Sequence, residues 1–336
     1  MGATGVVGQQ FVYLLQNHPL FELTELIASE RSRGKTYRDA CNHKTGLSIS
    51  ESIAEKEVNG LEADLDCELL FSALPSQVAG KIEAKLARDG LAVSSNASAH
   101  RLESNIPLVI PEVNLDHFQL IKHQKTDGFI VTNPNCTTSQ LVLVLKPLED
   151  SFGLEKVSVV SMQALSGAGY PGVASLDVID NVIPFIQGEE EKVELETLKL
   201  LGKVKDGKIV PADIAISASC NRVNVLSGHL ECLSVKLKEK TDVESIKDKL
   251  RNFNGLPQKL KLPSAPARPI IVMDAIDRPQ PRLDRDIEKG MASVVGRIRK
   301  DVVLDFKLIV LGHNLIRGAA GASILNAELL HAMRYI

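Results

Sequence analysis

Short apolar runs and helical spacings take turns along the first third of the chain. Leu23 to Ala28, Cys67 to Ser72, Leu91 to Ser95 and Phe129 to Thr132 are runs of strand length, rich in Leu, Ile, Val and Phe. Between them, Phe11, Val12, Leu14 and Leu15 recur at helical spacing, and so does the stretch from Val78 to Arg88. A strand, a loop of small polar residues and a helix, repeated about every 25 to 30 residues, predict right-handed βαβ units and a doubly wound parallel sheet. Val109 to Asn114 reads as a further segment of this half. The run Leu141, Val142, Val144 and Leu145 then predicts a buried helix.

Beyond about residue 150 the pattern changes. Lys156 to Ala164 alternates as a strand does, Ile214 to Leu237 gives two strand-like segments, and Ala292 to Ile298 with Val302 to Leu311 read as paired strands. Strands with few crossovers predict an antiparallel or mixed sheet, and so a second, α+β domain. Glu189 to Leu201 is a charged amphipathic helix, most of whose charges read as a solvated face. Pro263 to Pro281 is a proline-rich connection, and Ala319 to Met333 is apolar enough to pack back on the first domain. The expected division is 1–134, 135–314 and a C-terminal helix within 315–336.

Composition narrows the function classes. The 336 residues, 44% hydrophobic and 24% charged, are ordinary globular material sufficient for two domains. A net charge of −3 gives no general attraction to nucleic acid or to an anionic membrane. Five cysteines, at 41, 67, 136, 220 and 232, form no CxxC pair, which favours a reducing compartment over a disulfide framework. No apolar run approaches the length of a membrane span and no leader pattern opens the chain, so a cytoplasmic protein is expected.

The candidate chemistry centres on Cys136. After the strand at 129–132, Asn133-Pro134-Asn135 makes a turn, and Thr137, Thr138 and Ser139 are short hydroxyl residues suited to capping the following helix. A cysteine at a helix N-terminus is placed where the dipole and free N–H groups favour a thiolate. Gly2, Gly5 and Gly8 form a G-x-x-G-x-x-G series leading into a helix, a spacing that lets a pyrophosphate approach the backbone. At the end of the next apolar run, Glu30 argues for a free ribose 2′-hydroxyl, while Ser29, Arg31, Ser32 and Arg33 argue for a 2′-phosphate; the cluster favours NADP over NAD. Leu165 to Gly172 is a glycine-rich loop following a strand that carries Gln163.

Taken in order, GATGVVGQQF, ASERSRGK, SALPS, SNAS with Arg101, TNPNCTTSQLV, QALSGAGYPG, CNRVNVLSGHLE and GHNLIRGAAGAS resemble the aspartate-β-semialdehyde dehydrogenase family, in its archaeal and fungal branch. The likeness covers essentially the whole chain. It implies a Rossmann-type cofactor domain, a catalytic and dimerisation domain, and NADP(H)-dependent interconversion of L-4-aspartyl phosphate and L-aspartate 4-semialdehyde through a cysteine thioester. Residue by residue, it implies Cys136 as nucleophile, His229 as general acid/base and Gln163 as the residue orienting substrate. Arg222 would hold the substrate carboxylate, Arg101 and Lys192 the phosphate, and Glu189 a second substrate contact. Gly2, Thr4, Gly5, Val6, Val7, Ser29, Arg31, Ser32, Ser72, Gly167 and Asn314 would contact the cofactor. No metal is implied, and a homodimer or homotetramer is.

One departure stands out. The family opens with a short apolar strand before GATG, whereas here Met1 abuts Gly2, so the chain is expected to be a truncated gene product, a fragment or a divergent form, with backbone groups beside the missing strand left unpaired. N-acetyl-γ-glutamyl-phosphate reductase and malonyl-CoA reductase are the enzymatic alternatives, and a non-catalytic paralogue is the alternative of another class.

Overall fold

The computed structural model describes residues 1–41 and 45–336. Strands β1 (Leu69–Ser72), β2 (Ala92–Ser95) and β3 (Phe129–Thr132) pair in parallel, in that order. All four residues of β2 and of β3 are buried, as expected of a parallel sheet covered on both faces. Helices α1 (Val6–Leu15) and α2 (Ser76–Arg88) follow the loops at 1–5 and 73–75.

One expected strand is not a strand, and the segment at Val109 to Asn114 forms none either. Leu23 to Ala28 makes one bridge, Ile27 to Asn59, with Ala3 N–H donating to Ile27 O at 3.0 Å on its other side. Those isolated bonds do not extend into a ladder along 23–26. Val109 to Asn114 is limited to a bridge between Leu108 and Thr132, and Pro111 removes the donor that would continue it. Where the preceding strand was expected, Met1 donates its terminal nitrogen to Phe71 O at 2.7 Å and accepts from Ala73 N at 3.0 Å. Past Met1, a cleft of about 610 Å³ separates residues 20–26 from residues 65–71. On the β2 side, Glu68 O and Ser72 O accept from Ala92 N–H and Asn96 N–H.

Helix α3 (Cys136–Phe152) carries Leu141 to Leu145 without solvent exposure and joins the two halves of the molecule. It covers one face of a six-stranded mixed sheet built from β4 (Leu154–Gln163), β5 (Ala215–Arg222), β6 (His229–Leu237), β7 (Ile270–Met273), β8 (Ser293–Lys300) and β9 (Phe306–Gly312), in the order β5-β4-β6-β9-β8-β7. The β4/β5 and β7/β8 pairs are parallel and the rest antiparallel. Helices α4 (Glu189–Leu200) and α5 (Val243–Arg251) share the α3 side. Val157, Val159, Ala218, Leu233 and Val235 point into that core, whereas Ser158, Val160, Ser217 and Ser219 lie exposed on the opposite face.

The chain returns to the first sheet as α6 (Gly321–Ala332). Leu325, Leu329 and Leu330 pack with Ala92, Phe129 and Val131, and Ser323 Oγ lies 2.8 Å from Ser94 Oγ.

Candidate active site

Cys136 is the first residue of α3, immediately after the turn that closes β3. The cap is Asn135, whose Oδ1 accepts from the N–H groups of Thr137 and Thr138 at 2.9 and 3.2 Å; the hydroxyls of Thr137 and Thr138 are not the cap. Asn accepts two amides from one oxygen because it sits a residue before the first turn. The thiol is not the ready thiolate that this placement suggested. Burial, chiefly, and the Glu189 carboxylate push it up to about 12, against the opposing pull of Arg101, Arg222 and the Thr137 N–H.

His229, the first residue of β6, faces the sulfur with Nε2 3.1 Å from Sγ. Its Nδ1 accepts from Ala164 N at 3.0 Å, which assigns the proton of the neutral ring to Nε2, pointing at sulfur. Burial, together with the nearby Arg222 and His313, lowers the imidazole to about 3, so the ring is neutral at physiological pH. Ala164 serves both neighbours, because its carbonyl accepts from Arg222 Nη1 at 2.6 Å. Gly167 lies over this pair: a Cβ there would sit 3.0 Å from both Arg222 Nη1 and His229 Cε1.

On the other side of the sulfur, Glu189 Oε1 accepts from Asn135 Nδ2 at 2.7 Å and from Gln163 Nε2 at 3.1 Å. Lys192 stands at the rim, 3.5 Å from Glu189 Oε2. Arg101, only 8% exposed, donates from Nη1 to Glu196 Oε1 at 3.1 Å and from Nη2 to Asn96 O at 2.6 Å, and its Nε is buried with no partner among the described residues. The seven residues expected to do chemistry or hold substrate are thus one connected cluster at the junction of the two sheets.

Of the remaining expected residues, Gly2 to Val7, Ser29 to Ser32 and Ser72 belong to the first half, while Gly167 and Asn314 belong to the second. Gly2 adopts φ +77°, and a Cβ there would stand 2.7 Å from Ala73 O. Gly5 caps α1 without a side-chain bond, which leaves the amides around Val6 and Val7 for a ligand; Thr4 O accepts from Gln9 Nε2. Ser29 to Ser32 form a turn, with Arg31 exposed and Ser32 buried. Ser72, at the end of β1, has a fully buried Oγ with no partner among the described residues. Asn314 accepts from Gly228 N–H and donates to Ser166 Oγ, both at 2.8 Å, so it ties the Leu165–Ala168 turn to the loop before His229. An uncapped helix start, an unpartnered serine and a glycine turn fit a pyrophosphate and its ribose.

The sequence reading passed over three residues. Gly318 is pressed against the nucleophile: a Cβ there would be 2.7 Å from Cys136 Cβ. Glu196 and Lys199, taken as part of a solvated helix face, are 1% and 5% exposed. Their spacing from Glu189, seven and ten residues on, puts them on the same side of α4 and was the available signal.

A nucleotide-type sheet joined to a mixed sheet, with a half-buried thiol and a buried imidazole between them, defines an oxidoreductase. The semialdehyde dehydrogenase NAD binding domain family matches residues 1–121, and the semialdehyde dehydrogenase dimerisation domain family matches residues 145–317. Aspartate-semialdehyde dehydrogenase of Archaeoglobus fulgidus is 54% identical, over 98% of this chain and 96% of the relative; that of Methanothermobacter thermautotrophicus is 50% identical, over 98% and 97%. The crystal structure of the Candida albicans aspartate semialdehyde dehydrogenase with NADP superposes with a TM-score of 0.94 at 43% identity, covering 100% of this chain and 98% of that one. The chain belongs to the aspartate-semialdehyde dehydrogenase family.

Proposed function

We propose that this protein catalyses the reversible, NADPH-dependent reductive dephosphorylation of L-4-aspartyl phosphate to L-aspartate 4-semialdehyde, in the biosynthesis of lysine, threonine, methionine and isoleucine. The observation that carries this reading is the Cys136 Sγ to His229 Nε2 contact at 3.1 Å, flanked by Arg222 on one side and by Glu189, Gln163 and Arg101 on the other. A substrate with a carboxylate, an ammonium and a phosphate needs an arginine, an acid and a second cationic site, and the cluster supplies one of each.

Arg222 takes the substrate carboxylate, Glu189 its ammonium, and Arg101 with Lys192 its phosphate. Seating an ammonium against Glu189 offsets the carboxylate that holds the Cys136 thiol up, so binding itself makes the nucleophile more acidic. Sulfur then attacks the acyl carbon and the C–O bond to phosphate breaks; the thiol proton departs on the leaving monohydrogen phosphate, and a thioester remains on Cys136. Gln163 holds the acyl group beside sulfur. Gly2 to Val7, the Ser29 to Ser32 turn, Ser72, Gly167 and Asn314 would hold NADPH, which would supply the hydride when bound. His229, neutral and with its Nε2 proton directed at the reacting centre, donates a hydrogen bond to the acyl oxygen as charge builds there, and it stands beside sulfur when a proton must return. The turn from Ser29 to Ser32 favours NADP over NAD through Arg31 and the two serines.

The division 1–134, 135–314 and a returning helix within 315–336 is part of this reading. So is a homodimer, or a tetramer built from dimers, formed through the exposed face of the six-stranded sheet. No helix among the described residues is long and apolar enough to cross a membrane, and the five cysteines are free, which suits a cytoplasmic enzyme.

The test is NADPH formation from aspartate semialdehyde, NADP and phosphate, by this chain and by Cys136→Ala. Phosphate-dependent turnover that disappears in the variant is the expected result. Turnover with N-acetylglutamate semialdehyde or malonyl-CoA instead, or with no substrate at all, would overturn the reading.

A further inference from the structure

Three buried charges lie on one side of α4, and two of them, Glu196 and Lys199, reach across to the first half of the molecule. Glu189 belongs to the site already described. Glu196, 1% exposed, splits its carboxylate between the halves: Oε1 accepts from Arg101 Nη1 at 3.1 Å, and Oε2 accepts from the backbone N–H of Asn135 at 2.6 Å. One carboxylate thereby ties an arginine of the first half to the residue that caps the helix of Cys136. Lys199, one turn further on, donates its three protons to Arg101 O, Glu103 O and Ile106 O, at 2.6, 2.6 and 2.8 Å. An ammonium with three carbonyl acceptors fixes the path of the 101–106 segment.

Between them the two residues hold both ends of Arg101. Glu196 fixes its guanidinium and Lys199 its backbone, while Asn96 O takes Nη2 and Nε stays free. Desolvation drags the Lys199 ammonium down to about 8, so its burial carries a cost that the three carbonyls offset. Neither residue contacts Cys136, His229 or Gln163 in the hydrogen-bond network.

We propose that Glu196 and Lys199 are positioning residues for the phosphate half of the active site, fixing Arg101 relative to Asn135 and the Cys136 helix so that phosphate affinity depends on two side chains behind the arginine. This rests on the reading of Arg101 as a phosphate contact. A guanidinium free to swing would lose its alignment with the leaving group, and small misplacements of a positioning group cost large factors in rate.

The experiment uses the full chain and inorganic phosphate as probe. Phosphate protection of Cys136 against iodoacetamide is titrated in the parent, Glu196→Gln, Lys199→Met, Arg101→Ala and the double variant Arg101→Ala/Glu196→Gln. The Michaelis constants for phosphate and for aspartate semialdehyde are measured alongside. Glu196→Gln is expected to raise the half-protecting phosphate concentration and the phosphate KM roughly tenfold, with the aldehyde KM within about twofold, as loss of one charge-assisted bond on the arginine implies. Lys199→Met should show the same selectivity. The double variant should be no worse towards phosphate than Arg101→Ala alone, because Glu196 acts through that arginine.

Equal rises in both Michaelis constants, additive losses in the double variant, or unchanged phosphate protection in both single variants would overturn the proposal. If Arg101→Ala itself leaves phosphate protection intact, it is the assignment of Arg101 that fails, and the proposal falls with it. Circular dichroism and melting identify a variant that has not folded, and either of Glu196→Gln or Lys199→Met then decides.

Discussion

At the scale of single residues, the environment of the thiol sets what can be measured. Glu189 is the largest charged influence raising Cys136, so Glu189→Gln should lower the thiol and speed alkylation of the free protein near pH 8 by about tenfold for each pKa unit recovered, while slowing turnover by removing the ammonium contact. Slower alkylation in that variant would contradict the electrostatic account. His229 gives a second test. Its folded value near 3 lies below the ordinary 6.5, so the folded state binds fewer protons than the unfolded chain between those values. The stability this group contributes is fully present above about 6.5 and is lost as pH falls towards 3. Replacing His229 by Asn should therefore flatten the decline in unfolding free energy from urea titrations between pH 7.5 and pH 4.5, by an amount on the order of 2 kcal/mol. Cys136 stood out in the sequence by its turn-then-helix setting, whereas His229, Arg222 and Gln163 were marked by the family resemblance. Glu196 and Lys199 were not legible, because a charge on a helix reads as solvated until the partner elements that bury it are known. The Arg101 turn is about 95 residues away in sequence from Glu196.

At the scale of elements, the helix that begins at Cys136 depends on a single cap. Asn135→Ala removes the acceptor of two amides and the Nδ2 donor to Glu189, while the backbone N–H to Glu196 remains. It should cost about 1–2 kcal/mol in chemical unfolding, and more in activity than in stability. A variant as stable as the parent would show that the first turn is held from elsewhere. Element reading from sequence succeeded where apolar periodicity and pairing partners agreed, as in β4, β6 and α4. It failed at Leu23 to Ala28, a run with strand composition but only one bridged partner. Strand propensity describes a surface that suits a pleated sheet; whether a ladder forms depends on what lies alongside.

At the scale of the whole molecule, the six-stranded sheet leaves one face with Ser158, Val160, Ser217 and Ser219 exposed. If that face joins two copies, Val160→Lys should shift sedimentation from dimer towards monomer without unfolding the subunit, since the substitution lies outside the subunit's core. An unchanged sedimentation coefficient would move the interface elsewhere. The suppressed ionisation of the thiol also has a consequence for the lifetime of the molecule. Peroxide and other oxidants attack the ionised sulfur, and a thiol pushed up to about 12 is almost wholly un-ionised at neutral pH. The resting enzyme should thus survive peroxide that inactivates it once a substrate ammonium has engaged Glu189, so oxidative damage would fall on molecules caught at work.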